Sequence, residues 1–399
     1  MSEIKVNSIK GVGASTAAIT VNNSDGTCTA NITSNGGAQL SNRNLCINGA
    51  DMMVAQRGTS TTGLQNTGGV FTIDRFAHRR GGTWANAEWK DEQVNSGTGL
   101  FKKALKKTTT TAEGSAAASG KFVMIGHYLE AQNTIAAFGD GTAEAKSFTI
   151  SFYVKASIAT TYCLHVATSH LSTSKGYLKQ FTVNSANTWE RKTCTIQAIT
   201  NSIGTVNGSD NGTGIRIHWV LDAPTRASSQ AADTWFTFTD GDFGYPTGQG
   251  PTGYANTLNA TFELGGVQVE AGSVATDLEH RSFAQELLLC QRYCQVFGGV
   301  TNYTLFGTGV WKSSTVASIG FPFMTKMRSQ PSFSVTSPTN SMVRSGGTNI
   351  DVTSIALDIN TIENVMYNAN ASSGGTNGHG AMHLGKGNTD TVITLTAEL

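Results

Sequence analysis

The stretch Lys146–Lys155, KSFTISFYVK, places Phe148, Ile150, Phe152 and Val154 on one face. That strict period of two predicts a strand with one buried side. Toward the C-terminus, TYCLHVAT, YLKQFTVN, WERKTCTIQAI, GIRIHWVLD, DTWFTFTD and TFELGGVQVEAG read the same way. On the N-terminal side, FTIDRF (Phe71–Phe76) and KFVMIGHYLE (Lys121–Glu130) are further strand candidates. Gly, Asn and Ser turn signals separate them, and 45 Gly against 6 Pro fits short strands joined by many turns. The expected fold is all-β, centred on a jelly-roll β-sandwich.

A chain of 399 residues is too long for one ordinary core. Its first part holds short alternating pieces such as EIKVNSI and AAITV, with too little apolar material for a core. Ile4, Val6, Ile9, Ile19 and Val21 would be exposed unless copies pair, so residues 1–41 are expected to be an N-terminal β segment for assembly or anchoring. Residues 42–281 are assigned to the jelly roll. At Glu263–Phe297, ELGGVQVEAGSVATDLEHRSFAQELLLCQRYCQVF, the pattern changes from strand to helix. Gly265-Gly266 reads as a bulge, and Glu263 and Glu270 fall on opposite faces unless that bulge resets the register. Ser282 and Gln285 form a capping box. Phe283, Leu287, Cys290, Cys294 and Phe297 then recur at helical spacing, which predicts a connecting helix over 282–298 packed on its own domain, the next domain or symmetry mates. β texture returns over 299–399, expected as a small C-terminal β-sandwich.

With 14% charged residues and a net charge of +1, the chain lacks the clustered cations that nucleic acid requires. Its one basic run, FKKALKK (Phe101–Lys107), reads as a solvated strand or loop edge. No run of 18 apolar residues exists, so no membrane insertion is expected. MSEIKVNSIKG has no apolar secretory core, which places synthesis in a cytoplasm. Cys28, Cys46, Cys163, Cys194, Cys290 and Cys294 are too sparse for a disulfide framework and read as small buried residues.

No nucleophile elbow, zinc-protease or phosphate-loop motif is present. Paired carboxylates could cleave glycans, and Asp51, Asp74, Asp91, Glu92, Glu130, Asp222, Glu263 and Glu270 are available, but the sequence sets no two of them across a cleft. His280 reads as a capping or salt-bridged residue. Sugar binding would use aromatic platforms flanked by polar groups. The candidates are Trp84, Trp89, Phe243, Tyr245 and Tyr254, with core burial an equal reading for the two tryptophans. Trp189, Trp219 and Trp235 are assigned to the core. Asp240 and Asp242 form either a polar turn or a structural calcium site; no other cofactor is expected.

GVQVEAGSVATDLEHRSFAQELLLCQRYCQ resembles the strand-to-helix run of tail-fibre and minor structural proteins of tailed bacteriophages. The matching positions are Gly266, Gln268, Glu270, Gly272, Ala275, Thr276, Glu279, Arg281, Glu286, Leu287, Cys290, Gln291, Arg292 and Tyr293. NLCINGADMMVAQRGTS and FTIDRF resemble the opening of the same domain, while KSFTISFYVKAS and NTWERKTCTI are similar to strands of carbohydrate-binding-module jelly rolls. The resemblance covers about 42–297. It implies a virion protein, usually a homotrimer, attached through its N-terminus to other tail or virion proteins. The expectation is therefore a non-enzymatic tail fibre or receptor-binding protein that adheres to a host surface glycan or protein receptor. A glycan depolymerase and a purely structural collar or tail component are the alternatives.

Overall fold

The computed structural model describes residues 8–9, 19–21, 28–30, 43–114, 120–208, 210–224, 229–239, 244–387 and 389–399, with side chains from 43 onward. Strands β1 (Ser8–Ile9), β2 (Ile19–Val21) and β3 (Cys28–Ala30) form one antiparallel sheet in that order. The apolar side chains invoked for this segment lie outside the described residues.

Two six-stranded antiparallel sheets then build the sandwich. Its elements are β4 (Ser60–Leu64), β5 (Phe76–Gly81), β6 (Glu88–Asn95), β7 (Lys103–Thr111) and β8 (Phe122–Glu130). Helix α1 (Ala131–Phe138) leads to β9 (Phe148–Ala156), β10 (Thr161–Thr168), β11 (Lys175–Thr182) and β12 (Glu190–Ile196). The set ends with β13 (Thr213–Asp222), β14 (Trp235–Thr237) and β15 (Thr261–Ala271). One sheet runs β14-β11-β10-β13-β8-β5 and the other β12-β9-β15-β7-β6-β4. Phe148, Ile150, Phe152 and Val154 of β9 are all fully buried between them, as their alternation requires.

Several expectations change. FTIDRF is turn structure until Phe76, where β5 begins. The run FKKALKK is no edge: β7 lies between β15 and β6, and Lys107 points into the core. There its ammonium meets the Asp91 carboxylate and lies 2.7 Å from His78 Nδ1. Burial lowers the Lys107 pKa and raises that of Asp91, while each charge opposes the shift of the other. The short helix α1 was not anticipated, so the described residues hold two helices rather than one.

The connecting helix α2 spans Phe283–Gln291. Its capping box forms as read: Ser282 Oγ accepts from Gln285 N, and Gln285 Oε1 accepts from Ser282 N. It stops seven residues before the expected end at Gly298. Tyr293 N bonds Cys290 O, and the chain turns into β16 (Cys294–Gly298), so Cys294 and Phe297 stand on a strand. The helical spacing across 290–297 does not reflect one helix face. Of the proposed stripe, Cys290 and Cys294 are buried, Leu287 and Phe297 are half-buried, and Phe283 is 49% exposed. Glu286, absent from that stripe, is buried.

Beyond α2 the chain forms a barrel, not the expected sandwich. Its strands are β17 (Leu305–Trp311), β18 (Val316–Pro322), β20 (Ser341–Ser345), β21 (Thr348–Asn360), β22 (Asn364–Ala371) and β23 (Gly380–Gly385). They close in the order β17-β18-β22-β21-β20-β23. Strands β19 (Ser332–Thr336) and β24 (Val392–Thr396) join β16 in a separate sheet, order β16-β24-β19. Trp311, Ile319, Val343, Tyr367 and Ala369 fill the barrel. Among them His383 is fully buried, with Nδ1 2.7 Å from the Tyr367 hydroxyl and Nε2 2.8 Å from Ser341 Oγ.

Burial lowers the His383 pKa from 6.5 to about 3. The unfolded chain therefore binds a proton over this interval that the folded chain does not. The contribution of His383 to stability is complete above pH 6.5 and is lost as pH falls toward 3. Urea titrations over this range should show a flatter pH dependence for His383→Gln than for the parent; an unchanged slope would remove His383 as a cause.

Candidate functional site

Among the described residues, the candidate sugar-binding aromatics are buried, which for Trp84 and Trp89 is the core reading. Trp84 and Trp89 are 1% and 0% exposed and meet edge to face at 5.0 Å in the sandwich core. Glu113 is the reason: its carboxylate accepts from the backbone N–H groups of Ala85, Asn86 and Ala87 at 3.2, 3.0 and 2.9 Å. These bonds pin the turn between the tryptophans against the sandwich. Tyr245 and Tyr254 are also buried, donating to Leu221 O at 3.4 Å and Lys107 O at 2.8 Å. Phe243, Asp240 and Asp242 lie outside the described residues. Of the three tryptophans assigned to the core, Trp219 is buried, whereas Trp189 and Trp235 are half-buried.

A different set of side chains converges on the outer face of the β9–β15 sheet. Between Gly265 and Gln268 the register of β15 against β9 shifts. This is the expected bulge, and it does reset the strand: Glu263 pairs opposite Lys155 and Glu270 opposite Thr149, both on the outer face. Gly266 has φ +56°, a left-handed conformation that costs other residues about 1–2 kcal/mol. A Cβ there would also lie 2.7 Å from Tyr153 Cδ2, 3.2 Å from Phe101 Cδ1 and 3.4 Å from Leu278 Cδ2. The bare backbone therefore lets two rings and a leucine settle on the sheet. Phe101 lies tilted against Tyr153, ring centroids 5.3 Å apart, and meets Trp189 edge to face at 5.2 Å.

Above this floor lies a concave site of about 250 Å³, lined by Leu100, Tyr153, Arg191, Asp277, Leu278 and His280. Arg191 donates through Nη2 to Thr276 O at 2.5 Å, and His280 Nδ1 lies 2.7 Å from Asp51 Oδ2. Among the described residues, the Asp277 carboxylate has no hydrogen-bond or ion-pair partner. The site thus offers an aromatic surface, two aliphatic side chains, a carboxylate acceptor and a guanidinium with unused donors.

The connector holds these groups in place. Glu279 Oε2 accepts from Arg43 N at 2.7 Å and Asn44 N at 2.8 Å, and Glu279 N donates to Gln268 Oε1 at 2.8 Å. Gln268 Nε2 donates to Glu270 Oε1 at 2.8 Å, while Thr276 Oγ1 donates to Glu270 Oε2 at 2.7 Å. Arg281 donates to Asn44 O and to Glu286 Oε1, and Glu286 Oε2 accepts from Asn48 N at 2.7 Å. Burial raises the Glu286 pKa against the opposing charge of Arg281. Further along, Glu130 accepts from Arg292 Nε at 2.7 Å and from the Tyr293 hydroxyl at 2.5 Å, and the Arg75 guanidinium lies 3.5 Å over the Tyr293 ring. The resemblance positions Gln268, Glu270, Thr276, Glu279, Arg281, Glu286, Arg292 and Tyr293 thus form a structural network.

A second row of rings, Tyr128, His218, His165 and Phe238, crosses the outer face of the other sheet at centroid spacings of 5.7, 5.5 and 5.2 Å. Tyr128 and both histidines are buried, and Phe238 is half-buried.

No family model matches the chain, and no curated protein matches it. Solved structures give distant likenesses. One is a family 11 carbohydrate-binding module from Clostridium thermocellum in complex with a beta-1,3-1,4-mixed-linked tetrasaccharide, 14% identical, covering 56% of this chain and 98% of the module with a TM-score of 0.26. Another is the N-terminal CBM22-1-CBM22-2 tandem domain of Xyn10C from Paenibacillus barcinonensis, 8% identical, covering 91% and 100% with a TM-score of 0.27.

Glu279→Ala would strand two backbone N–H groups and is expected to cost about 2–4 kcal/mol in chemical denaturation. Gly266→Ala should lower stability and displace Tyr153, read as a change in tyrosine fluorescence or ring NMR shifts. Wild-type stability in the first variant, or an unmoved Tyr153 in the second, would contradict these roles.

Proposed function

We propose that this chain is a non-enzymatic glycan-binding protein of a tailed-bacteriophage virion, a tail fibre or receptor-binding protein, and that it holds sugar in the Tyr153 site. The observation that carries the binding reading is the convergence of Tyr153, Asp277 and Arg191 in one concavity. A ring surface suits the C–H face of a pyranose, and charged groups with unused hydrogen-bonding capacity suit its hydroxyls.

Binding is favoured over cleavage by the state of the eight acidic residues considered above. Asp91 is paired with Lys107, Asp74 with Arg57, Glu130 with Arg292, Glu263 with Lys155 and Glu92 with Lys90. Asp51 contacts His280, Glu270 is held by Thr276 and Gln268, and Asp222 accepts from Ala255 N. Glycoside hydrolysis needs two carboxyl groups acting across the scissile bond, and at the Tyr153 site Asp277 is open while Asp51 is held by His280. The virion assignment rests on the resemblance over Gly266–Tyr293. Assembly as a homotrimer belongs to the same proposal, and three copies of a weak site would raise avidity on a glycan-coated host.

The test is a binding screen on host-envelope glycans, run with a reducing-end assay and light scattering. Retention of glycan, no released reducing ends and a mass three times the 42.0 kDa chain are expected. Tyr153→Ala should weaken retention at least tenfold, about 1.4 kcal/mol, with its melting temperature checked alongside. Released reducing ends would overturn the non-enzymatic reading, and a 42.0 kDa species would overturn the trimer. A folded protein that retains no glycan would favour a structural tail component.

A further inference from the structure

We infer that the Tyr153 site selects a single neutral pyranose at the terminus of a glycan. This rests on the glycan-binding reading above and specifies its ligand.

Size is the first argument. At about 250 Å³ the concavity is smaller than the roughly 300–1,000 Å³ typical of sites for drug-sized ligands. It has room for one sugar ring rather than a run of them. Two separate connections supply its sides. Leu100 comes from the link between β6 and β7, and Asp277, Leu278 and His280 come from the connector between β15 and α2. The connector side is fixed by Glu279, whose carboxylate is bonded to the backbone of Arg43 and Asn44, so the space keeps its one-ring size. That size suits the end of a glycan better than its middle.

Charge is the second argument. Adjacent sugar hydroxyls can donate to the Asp277 carboxylate and accept from Arg191, satisfying both partners with a neutral ligand. A sugar carrying its own carboxylate gains from Arg191 but meets Asp277 in the same concavity. Asp51 adds a further negative charge, engaged by His280. Like charges brought together in a partly desolvated site oppose binding. Tyr153 supplies the ring surface for the apolar face of the sugar, and its position depends on Gly266 having no side chain.

The experiment measures retention of the intact chain on an immobilised glycan identified in the binding screen. Free competitors are neutral hexoses and N-acetylhexosamines on one arm, and glucuronic and neuraminic acids on the other. A third arm trims the terminal residue with an exoglycosidase. Competition by a neutral monosaccharide and loss of retention on trimming are expected. Asp277→Asn keeps the shape of the site; it should lower affinity for the neutral competitor at least tenfold and improve the ratio of acidic to neutral binding. Retention that survives trimming, or competition by acidic sugars alone, would overturn this inference and leave glycan binding standing. Wild-type neutral-sugar affinity in a folded Asp277→Asn protein would also overturn it. Failure of the wild-type chain to bind any glycan would overturn both readings.

Discussion

The buried carboxylate of Glu279 is the constraint on which the connector depends. It accepts two backbone N–H bonds from residues 43 and 44, at the start of the sandwich, although it lies 235 or more positions later in the chain. Such charge-assisted bonds are stronger than neutral ones and costly to leave unmade in a dry interior. They draw the first and last parts of the sandwich together. On one side of Glu279, Gln268 and Thr276 tie the connector to Glu270; on the other, Arg281 and Glu286 tie helix α2 to Asn44 and Asn48. The concave site lies within this fixed frame, with Asp277 and Leu278 immediately before Glu279 and His280 immediately after it.

The same strategy joins the residues flanking the β16-β24-β19 sheet to the sandwich. Arg292 and Tyr293 meet Glu130 at the end of β8, and Arg75 covers the Tyr293 ring while donating to Glu398. Arg57 reaches Glu398 at 2.9 Å, and Arg328 donates to the carbonyls of Ala397 and Glu398. Planar guanidinium groups suit these positions because each can satisfy several acceptors at once. The junction is polar and heavily bonded, not a simple apolar seam, so hydrophobic periodicity picks out Cys290 and Cys294, which are buried, but passes over Arg75 and Glu130.

What the sequence made legible was local. Alternation in KSFTISFYVK, the Ser282–Gln285 cap and the Gly265-Gly266 bulge each report on a few neighbouring residues, and each takes the predicted form. Features set by distant partners were not legible. Lys107 reads as solvated because Asp91 and His78 reach it from other strands, and Trp84 and Trp89 read equally as platform or core because the hold of Glu113 on their turn leaves no local pattern. Barrel closure likewise depends on how the strands pair. One clue to the site was present: Tyr153 occupies the phase of β9 opposite Phe148, Ile150, Phe152 and Val154, so its ring had to face outward. Its neighbours Arg191 and Asp277 come from β12 and the connector, and only folding brings the three together.

On the reading proposed above, the frame held by Glu279 builds a sugar site on the outer face of this sandwich. The most direct test is a crystal structure of the intact chain soaked in a neutral monosaccharide at saturating concentration. The expected result is one ring against Tyr153, with hydroxyls bonded to Asp277 and Arg191. Sugar bound at another face, with the Tyr153 site accessible in the lattice but empty, would contradict it.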